Sequence, residues 1–136
     1  MVTITDTTLR QSIFETLYDT LTAANLLSST VTVTAAYIDS DDAPFPQVVI
    51  HPVNVEKSDY SFDRSISKKD IVIMIDVWVK KNKDKDSITD EIDAIIDPLK
   101  MGGVMLNGWA ESNALETPGE NKIHLKTITI SYLRVS

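Results

Sequence analysis

The side chains of this protein that could do chemistry are two histidines and a set of scattered carboxylates. His51 and His124 stand on predicted strands with apolar neighbours, and no third ligand lies at a spacing that would complete a zinc site with either. Two carboxylates held across a cleft would suit glycoside hydrolysis, but nothing singles out a pair among the acidic residues. We therefore expect structural histidines and no metal site at these positions.

A second candidate metal site is a calcium-binding loop between residues 82 and 93. Oxygen-bearing side chains occupy positions one, three, five and twelve of such a loop, namely Asn82, Asp84, Asp86 and Asp93. Ser87 replaces the turn glycine, an aspartate replaces the final bidentate glutamate, and a predicted strand rather than a helix precedes the loop. These departures favour a solvated acidic stretch over a calcium site.

The nucleophiles and nucleotide-binding motifs of common enzymes are missing from the sequence. There is no cysteine, so neither a thiol nucleophile nor a thiolate metal site can form. No Gly-x-Ser-x-Gly elbow, phosphate-binding glycine loop or His-Glu-x-x-His motif occurs, and the whole chain has four glycines. The sequence therefore predicts a protein that is not an enzyme and binds no cofactor.

Length and charge are typical of one acidic domain. The 136 residues are the usual size of a single domain and carry a net charge of −7. The densest basic cluster, between residues 80 and 85, is interrupted by an aspartate, which favours a solvated turn over a nucleic-acid-binding patch. No signal peptide and no apolar run of ~18 residues is present. We expect a single domain over residues 1–136, soluble in the cytosol, whose acidic surface would let any nearby DNA slide past rather than hold it.

Apolar periodicity predicts two helices. Leucine and isoleucine recur every fourth residue from Leu9 to Leu21 and predict a helix over 7–24. A second helix is predicted over 87–100, with Ser87 and Asp90 approximating a capping box at its start.

Alternating and β-branched residues predict strands over 31–38, 47–55, 69–81 and 121–135. The apolar phase of the last strand shifts, and a bulge near Lys126 and Thr127 would restore one inward face. The predicted fold class is α+β, with a mixed, mostly antiparallel β-sheet of about four to five strands and two α-helices packed on one face.

The predicted strand over 69–81 has two apolar faces, of which the helices can cover only one. Aliphatic residues occupy every second position from Ile71 to Val79, and Val72, Met74 and Trp78 add apolar side chains to the other face. Because a surplus apolar surface on a soluble protein usually marks a partner contact, a second copy of the chain is one candidate cover. The alternative is that residues 101–118 fold back over this face as a loop.

The segment 55–69 joins two predicted antiparallel strands but exceeds the usual length of a hairpin loop. It carries Tyr60, Phe62 and Arg64 among polar neighbours, and these residue types are favoured anchors at protein interfaces. One interpretation is a long arm that orders on a partner. The other is that the two strands continue through the segment and its aromatic residues lie on the sheet.

The order of these elements, together with two short stretches, resembles a family of phage proteins. An opening helix with TLRQSIFETL is followed by FPQVVIHPV, an aromatic polar loop, a long strand ending in DVWVKK, the helix SITDEIDAIIDPL and a closing strand TITISYLRV. This arrangement is similar to that of the tail terminator and tail-completion proteins of long-tailed bacteriophages, the lambda type among them. The resemblance covers nearly the whole chain and brings no catalytic residue with it.

The resemblance implies a structural virion protein, assembled in the host cytoplasm, whose copies form a hexameric ring. Such a ring caps the tail tube, ends its polymerisation and presents a surface to the head–tail connector protein, while DNA passes through without specific binding and no membrane takes part. The residues expected at partner interfaces are Tyr60, Phe62, Arg64, Val72, Met74 and Trp78. Two alternatives stay open: another head–tail joining or neck protein, and a small-ligand-binding or enzymatic domain.

Overall fold

The computed structural model describes residues 2–3, 9–24, 31–36, 45–59, 67–115 and 123–135. The elements in chain order are β1 (Val2–Thr3), α1 (Leu9–Ala23), β2 (Thr32–Thr34), β3 (Gln47–Ile50), β4 (Asn54–Asp59), β5 (Ser67–Val79), α2 (Asn82–Ile96), β6 (Met101–Gly102), β7 (Met105–Leu115) and β8 (His124–Val135). They confirm the predicted α+β fold. No helix within these ranges is long and apolar enough to cross a membrane.

Strand β5 is the centre of the main sheet. On one side it pairs antiparallel with β8 without interruption, from Lys68 opposite Val135 to Val79 opposite His124. On its other side it pairs antiparallel with β4 along its first half and with β3 near its end. Strand β2 joins β3 in parallel, and β7 joins β8 antiparallel. The sheet therefore has six described strands, slightly more than predicted, and β1 pairs separately with β6.

The core lies between the two helices and one face of this sheet. Alternate β5 residues from Ile71 to Val79 are fully buried, together with Ile128 and Ile130 of β8. The helices contribute the apolar stripes that their periodicity predicted: Leu9, Ile13, Leu17 and Leu21 from α1, and Ile88, Ile92 and Ile96 from α2. Burying each such side chain contributes about 1.5–3 kcal/mol, so these stripes hold both helices on the same face.

Helix α2 begins earlier than predicted. It starts at Asn82, with Lys81 in the N-cap position and no side-chain capping bond. Ser87 therefore lies inside the helix, where its hydroxyl donates to the carbonyl of Lys83 at 3.3 Å. The predicted capping box is wrong, because the polar residues before Ser87 are helical rather than part of a turn. The same helix contains the residues with calcium-loop spacing.

Two strand predictions also need correction. The predicted strand over 47–55 is divided into β3 and β4 by residues 51–53, which include Pro52. Proline cannot donate to a strand ladder, and the interruption at this residue agrees with that. The alternative in which residues 101–118 form a loop over the second face is wrong for the described residues, because most of 101–115 form β6 and β7, with β7 extending the sheet sideways. Residues 116–118 lie outside the described ranges.

The bulge predicted near Lys126 and Thr127 is wrong. The pairing of β8 with β5 is continuous through both residues, and the register shift lies in β7, between Leu106 and Gly108. The apolar phase changes because Lys126, rather than Leu125, occupies an inward position. The buried Lys126 ammonium finds carboxylate partners there, which makes a charged residue tolerable on the inner face.

Candidate partner interface

The face of the sheet opposite the helices is called the open face below. Because side chains alternate along a strand and directly paired residues point the same way, the register defines its members. On β5, β8 and β7 they are Val72, Met74, Asp76, Trp78, Leu125, Thr127, Thr129, Ser131, Leu133, Met105, Ala110, Ser112 and Ala114. The three expected contact residues of β5 therefore lie together on this face.

Apolar side chains on the β5, β8 and β7 part of the open face retain contact with solvent, whereas Gln47 and Val49 of β3, which point the same way, are buried. Met74 is 39% exposed and Met105 is 60% exposed, and they are the large hydrophobic residues that stand exposed in the described part of the chain. Val72, Trp78, Leu125 and Leu133 are half-buried. Methionine is common at binding surfaces because its unbranched, polarisable side chain adapts to different partners. These exposed apolar side chains make the open face a candidate contact surface.

A hydrogen-bonded carboxylate lies in the middle of the open face. The Oδ2 atom of Asp76 is 2.6 Å from Nε2 of His51, and its Oδ1 atom accepts a hydrogen bond of 2.8 Å from the Thr127 hydroxyl. Since an ionised carboxylate only accepts, Nε2 of His51 carries the proton. The backbone N–H of His51 also donates to the carbonyl of Met74 at 2.9 Å. The network fixes the end of β3 against β5 and β8.

The arrangement of this network does not match a nucleophilic triad. In such a triad the imidazole lies between the carboxylate and the hydroxyl, whereas here Thr127 donates to the carboxylate itself. Within the described ranges, no group of three histidine or acidic residues is placed to hold a metal ion. The network is best explained as support for the sheet, since Asp76 is buried and both its oxygens are satisfied.

A second polar cluster lies on the helix-covered side and joins α2, β7 and β8. Nζ of Lys126 donates to Oδ1 of Asp86 at 2.6 Å and to Oε1 of Glu111 at 3.0 Å. The indole N–H of Trp109 donates to the other oxygen of Glu111 at 2.7 Å. The side chain of Lys126 is 9% exposed, so these contacts supply most of its polar surroundings. We call this group the Lys126 cluster.

The charges of the Lys126 cluster stabilise each other. Burial by itself would lower the pKa of Lys126, but hydrogen bonds to Asp86 and Glu111 outweigh it and raise that pKa above its ordinary value. The hydrogen bond from Lys126 lowers the pKa of Asp86. The hydrogen bond from Trp109, followed by that from Lys126, lowers the pKa of Glu111. All three groups therefore stay charged over the neutral range.

The other expected contact residues, Tyr60, Phe62 and Arg64, lie outside the described residues. On either side of them, β4 extends to Asp59 and β5 begins at Ser67, and the two strands pair antiparallel. For these flanking residues, the interpretation in which the strands continue is correct.

Two features of the candidate interface could not be predicted from the sequence. The position of Met105 on a strand is not marked by alternation, because the inward positions of β7 include the polar residues Glu111 and Asn113. His51 and Asp76 are 25 residues apart in the sequence and come into contact only when β3 pairs with β5. No local spacing in the sequence predicts their hydrogen bond. The alternation along β5, by contrast, was sufficient to place Met74 and Trp78 on the open face.

Neither a scan against models of protein families nor a search of curated proteins finds a match to this chain. Its function is therefore inferred from the residues of the open face and from the family resemblance of the sequence.

Proposed function

We propose that this protein is a subunit of a ring that caps the tail tube of a long-tailed bacteriophage, ends its polymerisation and offers a surface for the head–tail connector. The ring is a homo-oligomer, hexameric as the resemblance implies, and it is a structural part of the virion neck. The single observation that carries the proposal is the exposure of Met74 and Met105 on one face of the sheet. DNA passes through the ring without specific binding.

The helices leave an apolar surface that a second subunit can cover. Three strands spaced about 4.8 Å apart and some nine residues long have a total footprint of roughly 400 Å², with the polar residues of the face included. A stable interface uses about 800 Å² on each partner, so the open face supplies around half of one side. The remainder must come from other surfaces, and Tyr60, Phe62 and Arg64 are proposed to contribute to it.

The polar groups of the open face also suit a subunit interface. Asp76, Thr127 and His51 bond to one another rather than to a missing partner, so covering them leaves no carboxylate unpaired. Interfaces between subunits typically mix apolar anchors with such satisfied polar groups. In the proposed ring these residues have no catalytic role, and no cofactor takes part.

The net charge of −7 supports passive passage of DNA. An acidic surface repels the phosphate backbone, whereas retention would need clustered lysines and arginines. Lys126, the lysine on the inner face of β8, is already engaged by two carboxylates.

Electron microscopy and mass measurement of the purified protein test the proposal. The wild type is expected to form rings with a central hole wide enough for duplex DNA, and Met74→Asp is expected to abolish them by placing a charge on the contact face. The matched control is Ala94→Asp, which adds the same charge at an exposed position of α2. Monomers of the wild type at tens of micromolar, or equal loss of rings in both variants, would contradict the ring.

Binding to purified tail tubes tests the position of the ring. Rings are expected at tube ends, where they stop further growth after more tube protein is added. Rings that bind the head–tail connector but neither bind nor arrest tubes would instead assign the protein to the neck proteins of the head side.

A further inference from the structure

The outer edge of β7 is open. Strand β7 pairs with β8 on one side, and no other strand of the described chain pairs with it on the opposite side. Five consecutive residues, Ala110 to Ala114, are all exposed. Because alternate residues of a strand point to opposite faces, exposure of all five means that solvent reaches both faces of this segment. The outward N–H and C=O groups of the edge are therefore available to another strand.

The edge of β7 lacks most of the features that prevent an edge strand from pairing with a strand of another chain. Edge strands are usually protected by short length, lysine, proline or a bulge. The opposite edge strand, β2, has three residues. In β7 the irregularity between Leu106 and Gly108 protects only the first part, and the remaining residues include no lysine or proline. Their one charge, on Glu111, is engaged by Lys126 and Trp109.

We propose that β7 pairs antiparallel with β7 of a second copy of this chain, about a two-fold axis at Ser112. The sequence around Ser112 is complementary to itself when reversed. The axis places Ala110 opposite Ala114, Glu111 opposite Asn113 and Ser112 opposite its own copy, so small residues face small residues and no like charges are directly opposed. The two-fold operation makes the contact isologous, with the same residues on both sides.

Neighbouring axes are less favourable. An axis at Glu111 sets two carboxylates directly opposite each other, which destabilises a strand pair. An axis at Ala110 brings Asn107, in the irregular part of β7, into the ladder. The axis at Ser112 instead uses Trp109 to Leu115, all beyond the irregularity, and gives about seven paired residues on each strand. Salt is expected to favour the pairing, since each copy carries a net charge of −7.

The edge contact is distinct from the contact proposed for the ring, although Ala110, Ser112 and Ala114 also belong to the open face. It uses the backbone edge of β7, whereas the ring proposal uses side chains of the open face around Met74 and Met105. A two-fold contact joins two copies and does not by itself close a ring. Either contact can therefore exist without the other.

Single cysteines test the edge contact cleanly, because the chain has no cysteine of its own. Directly opposed residues on paired strands have Cβ atoms about 4.5–5.5 Å apart, close to the separation in a disulfide. Ser112→Cys is therefore expected to form a covalent dimer on mild oxidation. Ala110→Cys alone is not, because its copy lies four residues away along the strand, about 13 Å. Mixing Ala110→Cys with Ala114→Cys is expected to restore the link as a heterodimer.

The controls separate this contact from chance collision and from the ring. Ala94→Cys, exposed on α2, gives the background of random cross-linking. All variants are made in the Met74→Asp background, so that assembly through the open face does not contribute, and folding is checked by circular dichroism. We expect at least a tenfold higher dimer yield for Ser112→Cys than for Ala94→Cys. Equal yields, or efficient linking of Ala110→Cys alone, would overturn the pairing about Ser112.

Discussion

The two faces of the central sheet are made by neighbouring residues of the same strands and have opposite surroundings. Ile73 and Ile75 are fully buried beneath the helices, while Met74 between them is 39% exposed. From Ile71 to Val79 the helix-covered face of β5 is uniformly aliphatic. The open face alternates apolar residues such as Met74 and Trp78 with the buried carboxylate of Asp76.

This difference is consistent with the role proposed for each face. A permanent core excludes polar groups because each unpaired one costs about 1–3 kcal/mol. A surface that is wet in the free subunit and covered in an assembly can keep polar groups that are satisfied among themselves. His51, Asp76 and Thr127 meet that condition on the open face.

The largest expected effect is on stability. It is the difference between truncating Ile75, which points into the core, and truncating its neighbour Met74, which points to the open face. Ile75→Ala is expected to lower the free energy of unfolding by about 2–5 kcal/mol, because it leaves a cavity in the core. Met74→Ala is expected to cost less than Ile75→Ala, because Met74 is 39% exposed in the free subunit and its truncation leaves no closed cavity. Urea unfolding at a concentration where the protein is monomeric measures both. Similar losses would show that the open face is buried within one subunit.

A smaller effect is expected from Lys126→Met, which removes the charge at the centre of the Lys126 cluster. The lowered pKa values of Asp86 and Glu111 mean that their stabilising contribution is present above the ordinary carboxyl pKa of about 4 and is lost as pH falls below it. The variant should therefore be less stable than wild type at pH 7, and the difference should shrink toward pH 2.

Thermal unfolding between pH 2 and 7 measures that difference. The matched control is Lys83→Met, which removes the same charge at an exposed position of α2. A stability gap for Lys126→Met that stays constant with pH would mean that the Lys126 cluster acts through packing and not through charge.

The smallest effect is expected at Tyr132, whose buried hydroxyl has no hydrogen-bond partner in the described part of the structure. Tyr132→Phe should change the free energy of unfolding by less than about 1 kcal/mol at pH 7. Burial raises the pKa of Tyr132 to about 12. Because the unfolded chain loses this proton near pH 10, wild-type stability should fall between about pH 10 and 12. The decrease in stability over this pH range should be smaller in Tyr132→Phe. Denaturant unfolding of both proteins between about pH 9 and 12 measures the difference.

Periodic features of the fold could be predicted from the sequence. The stripe from Leu9 to Leu21 and the alternation of β5 depend only on local spacing, and both helices pack where their stripes require. The start of α2 was missed because Asn82 to Asp86 are as polar as a turn. Strand β7 was missed because its inward positions include the polar Glu111 and Asn113, so no apolar period of two appears. The inward Lys126 was missed because its partners come from α2 and β7.

The candidate interface was predictable to a similar extent. Alternation placed Val72, Met74 and Trp78 on one face, but the exposure of Met105 depends on where β7 adds to the sheet. Contacts such as His51 to Asp76 depend on strand order, and no local pattern encodes strand order.

The uninterrupted pairing of β5 with β8 has a consequence for the kinetics of folding. The partners are separated by residues 80–123, which include α2 and β7, so joining them closes a long loop before most of the ladder can form. If β5 and β8 paired with a shift of one residue, the aliphatic side chains of β5 would point to the solvent side of the sheet. A misaligned pair is therefore much less stable than the native one. We expect the search for this alignment to limit the refolding rate, with α2 forming earlier as a local structure.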